Sequence, residues 1–352
     1  MPIRRGVVAA SITELPTVSI GSVTNFNQDR ATFNATVSAN YQSTTVKFQY
    51  NTTNNFSSYT EVTATGSPVT GQSVAVYFNV TGLSVGTTYY VRAVISNGIG
   101  TATTASTSFT TWSLKTYTKT TSGTVNDAVY LQTITPTGGS AITPFIFNVF
   151  FFGGGGGGAG GGGGGGAYYY NTGNVSATSA VSSYLNVTVG AGGAAGNIAD
   201  TNGGSGGTST ISGSSFSTLT ATGGAGGQYQ NVGSGGASGS GTSSSYGGGT
   251  GSVTSTGSGK DIVYYFASGG GGGNFSAGDN GHSAGNGYGG SGGVGGQAFG
   301  YAGGSGGGGY GSTANGQGNR ILFAGNIGVY GCGGNTASAG TAGMCYFQYY
   351  GP

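Results

Sequence analysis

The sequence predicts an all-β chain of two unlike halves: a β-sandwich, then a glycine-rich block of short strands and packed extended glycine helices. Three observations predict it. Short apolar/polar alternations recur through residues 17–111, the period-two signature of half-buried strands. Of the 82 glycines, 71 fall in residues 153–352. Of the 16 charged residues, 11 precede position 128, and only Asp200, Lys260, Asp261, Asp279 and Arg320 follow it. The expected organisation is an N-terminal arm over 1–16, a sandwich over 17–111, bridging strands over 112–144 and a glycine-rich domain over 145–352.

The alternating runs of the first half are ATFNATV at 31–37, TVKFQY at 45–50, SVAVYFNV at 73–80 and TYYVRAVI at 88–95. Six or seven such runs in about 95 residues match sandwich spacing. In the bridge, residues 116–121 and 124–135 alternate like two further strands. Trp112, the only tryptophan, is expected to fill the joint between the halves. The run FIFNVFFF at 145–152 reads as a fully buried strand.

Glycine clusters follow at 153–158, 160–166, 203–207, 223–227, 247–249, 269–273, 289–293 and 306–309. Gly/Ser tracts default to flexible linkers. The alternative is a packed array of extended left-handed helices with three residues per turn, whose outward N–H and C=O groups bond between neighbours that lack Cβ atoms. Recurrent clusters, and a block bounded by two strand-like runs (145–152 and 343–350), favour the array. Strict Gly-X-Y is absent, which excludes collagen. Ordering glycine carries an extra entropic cost of about 0.5–1 kcal/mol relative to alanine, so the array must satisfy nearly all its amides. Sibling subunits would help, and a homotrimer is expected.

Composition excludes other classes. Charged residues make up 5% of the chain, against about 25% ordinarily, and no basic stripe suits nucleic acid. No apolar run is long enough for membrane insertion, and no secretion signal is expected from Arg4 and Arg5 followed by Glu14 and Pro16. Seven Asn-x-Ser/Thr triplets match chance in a Ser/Thr-rich chain. Cys332 and Cys345 could pair in a hairpin or stand as two buried thiols. GSGKD at 257–261 lacks the first glycine and the Ser/Thr of a phosphate loop. His282 is the only histidine, so neither a triad nor a metal site is expected. The reading is a protein without catalytic activity or cofactor.

Two resemblances add to this. GLSVGTTYYVRAVISNGIG at 82–100 resembles a fibronectin type III domain at its tyrosine corner, which implies an Ig/fibronectin III-like sandwich with Leu83 and Tyr89 at the corner and Asn97, Gly98 and Gly100 in the following turn. TPTGGSAITPFIFNVFFF at 135–152 with the glycine runs after it, VTVGAGG at 187–193 and the closing GMCYFQYY at 343–350 resemble glycine-rich domains of bacteriophage tail-fibre and other virion proteins. That implies polyglycine II-type helices in a rigid virion-surface domain, assembled in the host cytoplasm, with the first half docked to other virion proteins. Tyrosines set among glycines are the candidate contacts with a host glycan or protein: Tyr168, Tyr169, Tyr170, Tyr229, Tyr246, Tyr288, Tyr301 and Tyr310. Three functions stay open: fibre or adhesin, capsid decoration or head-fibre protein, and cellular matrix or surface filament. Ice binding wants a regular flat face, against which the irregular aromatic insertions argue.

Overall fold

The computed structural model describes residues 14–159, 163, 166, 168–171, 173–180, 182–197, 201–227, 334 and 338–352, and the backbone of six short strands between 252 and 328. The described residues form several antiparallel sheets and no helix, so none there is long and apolar enough to cross a membrane. The chain divides into two compact units. The first holds the chain up to Lys115 together with Ile134–Ile142 and Tyr350–Pro352; the second holds Thr116–Thr133 and Thr143–Tyr349.

In the first unit lie β1 (Thr17–Ile20), β2 (Arg30–Ser38), β3 (Thr45–Asn51), β4 (Thr60–Thr63), β5 (Val74–Thr81), β6 (Thr88–Ser96), β7 (Thr101–Thr103) and β8 (Thr107–Thr110). One sheet has the order β1-β2-β5; the other runs β4-β3-β6-β7, with β8 also on β6. Alternation decides the faces. Phe33, Ala35 and Val37 of β2 point inward, as do Val46 and Phe48 of β3 and Val91, Ala93 and Ile95 of β6, and they share one buried cluster. The Phe, Val and Ile side chains among them each contribute about 1.5–3 kcal/mol by leaving water. Leu83 and Tyr89 are buried in the same cluster, and the Tyr89 hydroxyl accepts from the Ser84 N–H at 3.0 Å. The Tyr89 ring stacks on Phe109, centroids 5.8 Å apart. Asn97 closes the β6–β7 turn: its N–H reaches the Gly100 carbonyl, and its Oδ1 accepts from Ile99 and Gly100. Trp112 is half-buried, its N–H donating to Asn27 O and its carbonyl accepting from Gly86.

Next come β9 (Ser113–Lys119), β10 (Gly123–Gln132), β11 (Phe145–Phe152), β12 (Tyr168–Asn171), β13 (Val175–Ser176), β14 (Ser182–Val189), β15 (Ser209–Gly213) and β16 (Phe216–Ala221). Three hairpins follow: β17 (Ser252–Thr256) with β18 (Val263–Ala267), β19 (Gln297–Ala298) with β20 (Tyr301–Ala302), and β21 (Ile321–Phe323) with β22 (Asn326–Gly328); β23 (Met344–Gly351) is last. β11 is central in the order β12-β11-β23-β9. A second sheet runs β10-β14-β15-β16. Ile146, Val149 and Phe151 of β11 share a core with Leu185, Val187, Ile211 and Phe347. Residues 146 and 149 could not share a face in a regular strand. A register shift between Phe147 and Phe150, with Asn148 at φ 48°, rephases β11 so that they do. The Asn148 amide donates to Gln348 Oε1 at 2.6 Å.

Candidate functional site: a glycine lattice and exposed tyrosines

The glycine segments of the second unit are hydrogen-bonded to one another outside any β-strand. Residues 153–159 are the hub. Gly154 and Gly157 donate to the carbonyls of Gly207 and Gly204; Gly155 and Gly158 donate to those of Thr341 and Ser338. In return Gly154 and Gly157 accept from Gly224 and Gly227, and Gly155 and Gly158 accept from Gly193 and Gly196. Gly156 accepts from Gly334. The outer segments are also bonded together. Gly204 and Gly207 donate to Ala194 and Ala191, Gly203 and Gly206 to Gly227 and Gly224, and Gly340 and Gly343 to Gly193 and Gly190. Every paired contact steps by three residues, and all these bonds are 2.7–2.9 Å long.

The register also states direction. Rising numbers on the hub meet rising numbers on 190–197 and 222–227, which run parallel to it. They meet falling numbers on 203–207 and 338–341, which run antiparallel. Residues 153–159 are all buried. A Cβ at Gly154 would overlap the Ala191 carbonyl, one at Gly157 the Ala194 carbonyl, and one at Gly163 the Gly156 carbonyl. These are backbone atoms held by the lattice, so they cannot turn aside as a side chain would.

Ser209 ties the lattice to the sheets. Its buried hydroxyl accepts from the Gly190 N–H at 2.9 Å and donates to the Phe152 carbonyl, just before the hub. Removing it leaves the Gly190 N–H without this partner, a loss of about 1–3 kcal/mol, and takes one hydrogen bond of about 0.5–1.5 kcal/mol from the Phe152 carbonyl. Ser209→Ala is therefore expected to destabilise the second unit by about 2–4 kcal/mol, read from the denaturant midpoint with slope unchanged. A loss under about 0.5 kcal/mol would show that the hydroxyl's two bonds carry no net stability.

The tyrosines expected at the surface divide into three groups. Tyr169 is a correction: it is buried and its ring stacks on Phe151, centroids 4.9 Å apart. Strand alternation turns it into the core, and burial pushes its hydroxyl above the ordinary tyrosine range. Tyr168 and Tyr170 lie on β12 and Tyr301 on β20, but their side chains are outside the described residues, as are Tyr229, Tyr246, Tyr288 and Tyr310 in full. His282 and Cys332 are outside them too. Cys345 is a free, fully buried thiol, and desolvation pushes it far above the ordinary range. The folded state keeps its proton where the unfolded state would lose it. Its stabilising effect is thus fully present below pH 9.0, the ordinary value, and fades above it. In a Cys332→Ser background, Cys345 is expected to resist a thiol reagent at pH 8 until denaturant is added; rapid native labelling would contradict its burial.

Other features were not among the expected contacts. Tyr130 and Tyr184 sit directly opposite each other on β10 and β14, 46% and 47% exposed, ring centroids 4.9 Å apart. On the first unit, Arg92 donates from Nε to Gln49 Oε1 at 2.9 Å and stacks over Phe56 at 4.2 Å. Gln49 in turn donates to Glu61 at 2.8 Å, and that bond, then Lys47, holds the Glu61 carboxyl below its usual range. An open hollow of about 320 Å³ lies between Arg30, Thr32 and Asn79 and the segment from Pro136 to Ile142. Asn79 spans it, accepting from Thr32 at 2.7 Å and donating to the Thr137 carbonyl at 2.8 Å. Among the described residues no three His, Cys, Asp or Glu side chains gather in metal-binding reach.

Comparison with protein-family models, with curated protein sequences and with solved structures returned no match.

Proposed function

We propose that this chain is a bacteriophage virion structural protein, a surface fibre or adhesin whose first half docks to the particle and whose glycine-rich part is displayed for host attachment. The observation that carries the reading is the three-residue hydrogen-bond repeat among the glycine segments. It supports reading them as packed polyglycine II-type helices, since that helix has three residues per turn. The sequence resemblance of residues 130–350 to glycine-rich virion domains points the same way. The two sheets with one core, and the Tyr89 hydroxyl bonded to Ser84, support a fibronectin III-like sandwich for the first unit. Such a block suits a surface display role: backbone bonds hold it rigid, and with few charges it presents little to bind nonspecifically.

A homotrimer belongs to this proposal. Light scattering at micromolar concentration is expected to give about three times the 34.1 kDa chain mass; the chain mass itself would reject the trimer. Purified protein is expected to compete with particle adsorption to host cells, and immunogold labelling is expected to mark the fibre tips. Labelling confined to the capsid without competition would replace this reading with capsid decoration.

A further inference from the structure

We propose that the outward face of the sheet β10-β14-β15-β16 binds a neutral glycan, with Tyr130 and Tyr184 as the stacking platform; this rests on the host-attachment reading. The inward face of that sheet is spent on the core through Val129, Leu131, Leu185, Val187 and Ile211. The outward face carries hydrogen-bonding side chains instead. Thr124, Thr188, Thr210 and Thr220 stand in one row across the four strands, and Asn186 stands opposite Ser212.

On this polar face the two rings are an anomaly. They are large and nearly half exposed. An aromatic face matches the C–H face of a pyranose as it matches any apolar ring surface, and each tyrosine adds a hydroxyl. Beside them lies a polar pair. β10 bulges between Val125 and Val129, and Asp127, at φ 55°, turns its N–H to Asn186 Oδ1 at 3.1 Å. That fixes the Asn186 amide, whose NH2 has no partner among the described residues, and sets it two residues from Tyr184 on one strand face, about 7 Å away. A carboxylate that accepts beside an amide that donates can take two neighbouring hydroxyls of one sugar.

Charge selects among ligands. Asp127 is the only charged residue in these four strands. An anionic polymer would meet that carboxylate with no cation on these four strands to offset it, so the fitting partner is hydroxyl-rich and uncharged.

The test uses the full chain and saturation-transfer NMR with neutral bacterial O-polysaccharides, maltohexaose and cellohexaose, and a heparin hexasaccharide as the anionic counterpart. Transfer to C–H protons of a neutral glycan is expected. Binding is expected to weaken about tenfold or more in Tyr130→Ala/Tyr184→Ala, to weaken less in Asp127→Asn, and to persist in Tyr59→Ala, an exposed tyrosine of the first unit. Transfer to heparin alone, to no neutral glycan, or equally in the double variant overturns the proposal. So does a double variant that loses an assembly formed by the wild type, because the face then belongs to a second copy. Adsorption competition separates the two levels. A wild type that competes, with a double variant that competes equally, sinks the glycan face alone; a wild type that does not compete sinks the attachment reading.

Discussion

Gly157→Val is expected to abolish the folded lattice. Overpacking in an ordinary core costs about 1–3 kcal/mol because neighbouring side chains shift. At Gly157 the neighbours are the carbonyls of Ala194 and Gly193, and a Cβ there overlaps both. Gly157 also donates to Gly204 and accepts from Gly227. Moving it far enough to admit a side chain breaks both bonds and displaces Gly154 and Gly158, which hold four more. Each buried group left unpaired costs about 1–3 kcal/mol, so the sum exceeds the stability of a typical domain, about 5–15 kcal/mol. Hydrogen exchange is the measurement: amides of 153–158, 193–196, 203–207 and 224–227 are expected to lose protection together. Gly98→Ala, where a Cβ meets nothing within 4 Å, is the matched control and is expected to stay within about 0.5 kcal/mol of wild type. Wild-type protection of these amides in Gly157→Val would disprove close backbone packing. Gly163→Val is expected to act in the same direction, since its Cβ overlaps the Gly156 carbonyl.

Phe151→Ala is the second large effect. Phe151 is fully buried at the centre of its sheet, paired with Tyr169 on β12 and Cys345 on β23. Truncation removes the ring stacked on Tyr169 and leaves a cavity among side chains fixed by two flanking strands. The expected cost is about 3–5 kcal/mol, borne by the second unit. Phe33→Ala, in the core of the first unit, is expected to cost as much there. Calorimetry that resolves two transitions should show each variant lowering a different one. Tyr130→Ala, by contrast, is expected to cost under about 1 kcal/mol because its ring is exposed. A Phe151→Ala protein as stable as Tyr130→Ala would mean that β11 is not a core strand.

Much of the fold was legible because alternation and composition are local signals. The runs at 31–37, 45–50, 73–80 and 88–95 lie within β2, β3, β5 and β6, apart from the first residue of 73–80. The apolar run at 145–152 is β11, and the closing aromatic run is β23. The surface tyrosines were less legible. Ring exposure depends on which face of a strand is covered, and that is set by distant chain: Tyr169 points into the core beside Phe151, while Tyr130 and Tyr184, within ordinary alternating segments with no glycine beside them, stand outside.

By itself the sequence determined the all-β class, the places of the main strands and the confinement of glycine to the second half. Those follow from the period and chemistry of adjacent side chains. Only the tertiary structure decided that residue 154 meets 207 and 224, that 155 meets 341 and 193, and which neighbours run parallel. It also decided that a bulge at Asn148 puts Ile146 and Phe151 on one face. The reason is physical. Glycine has no side chain in which a pattern could be written, so the pairing of glycine segments resides in backbone hydrogen bonds that exist only after distant parts of the chain have met.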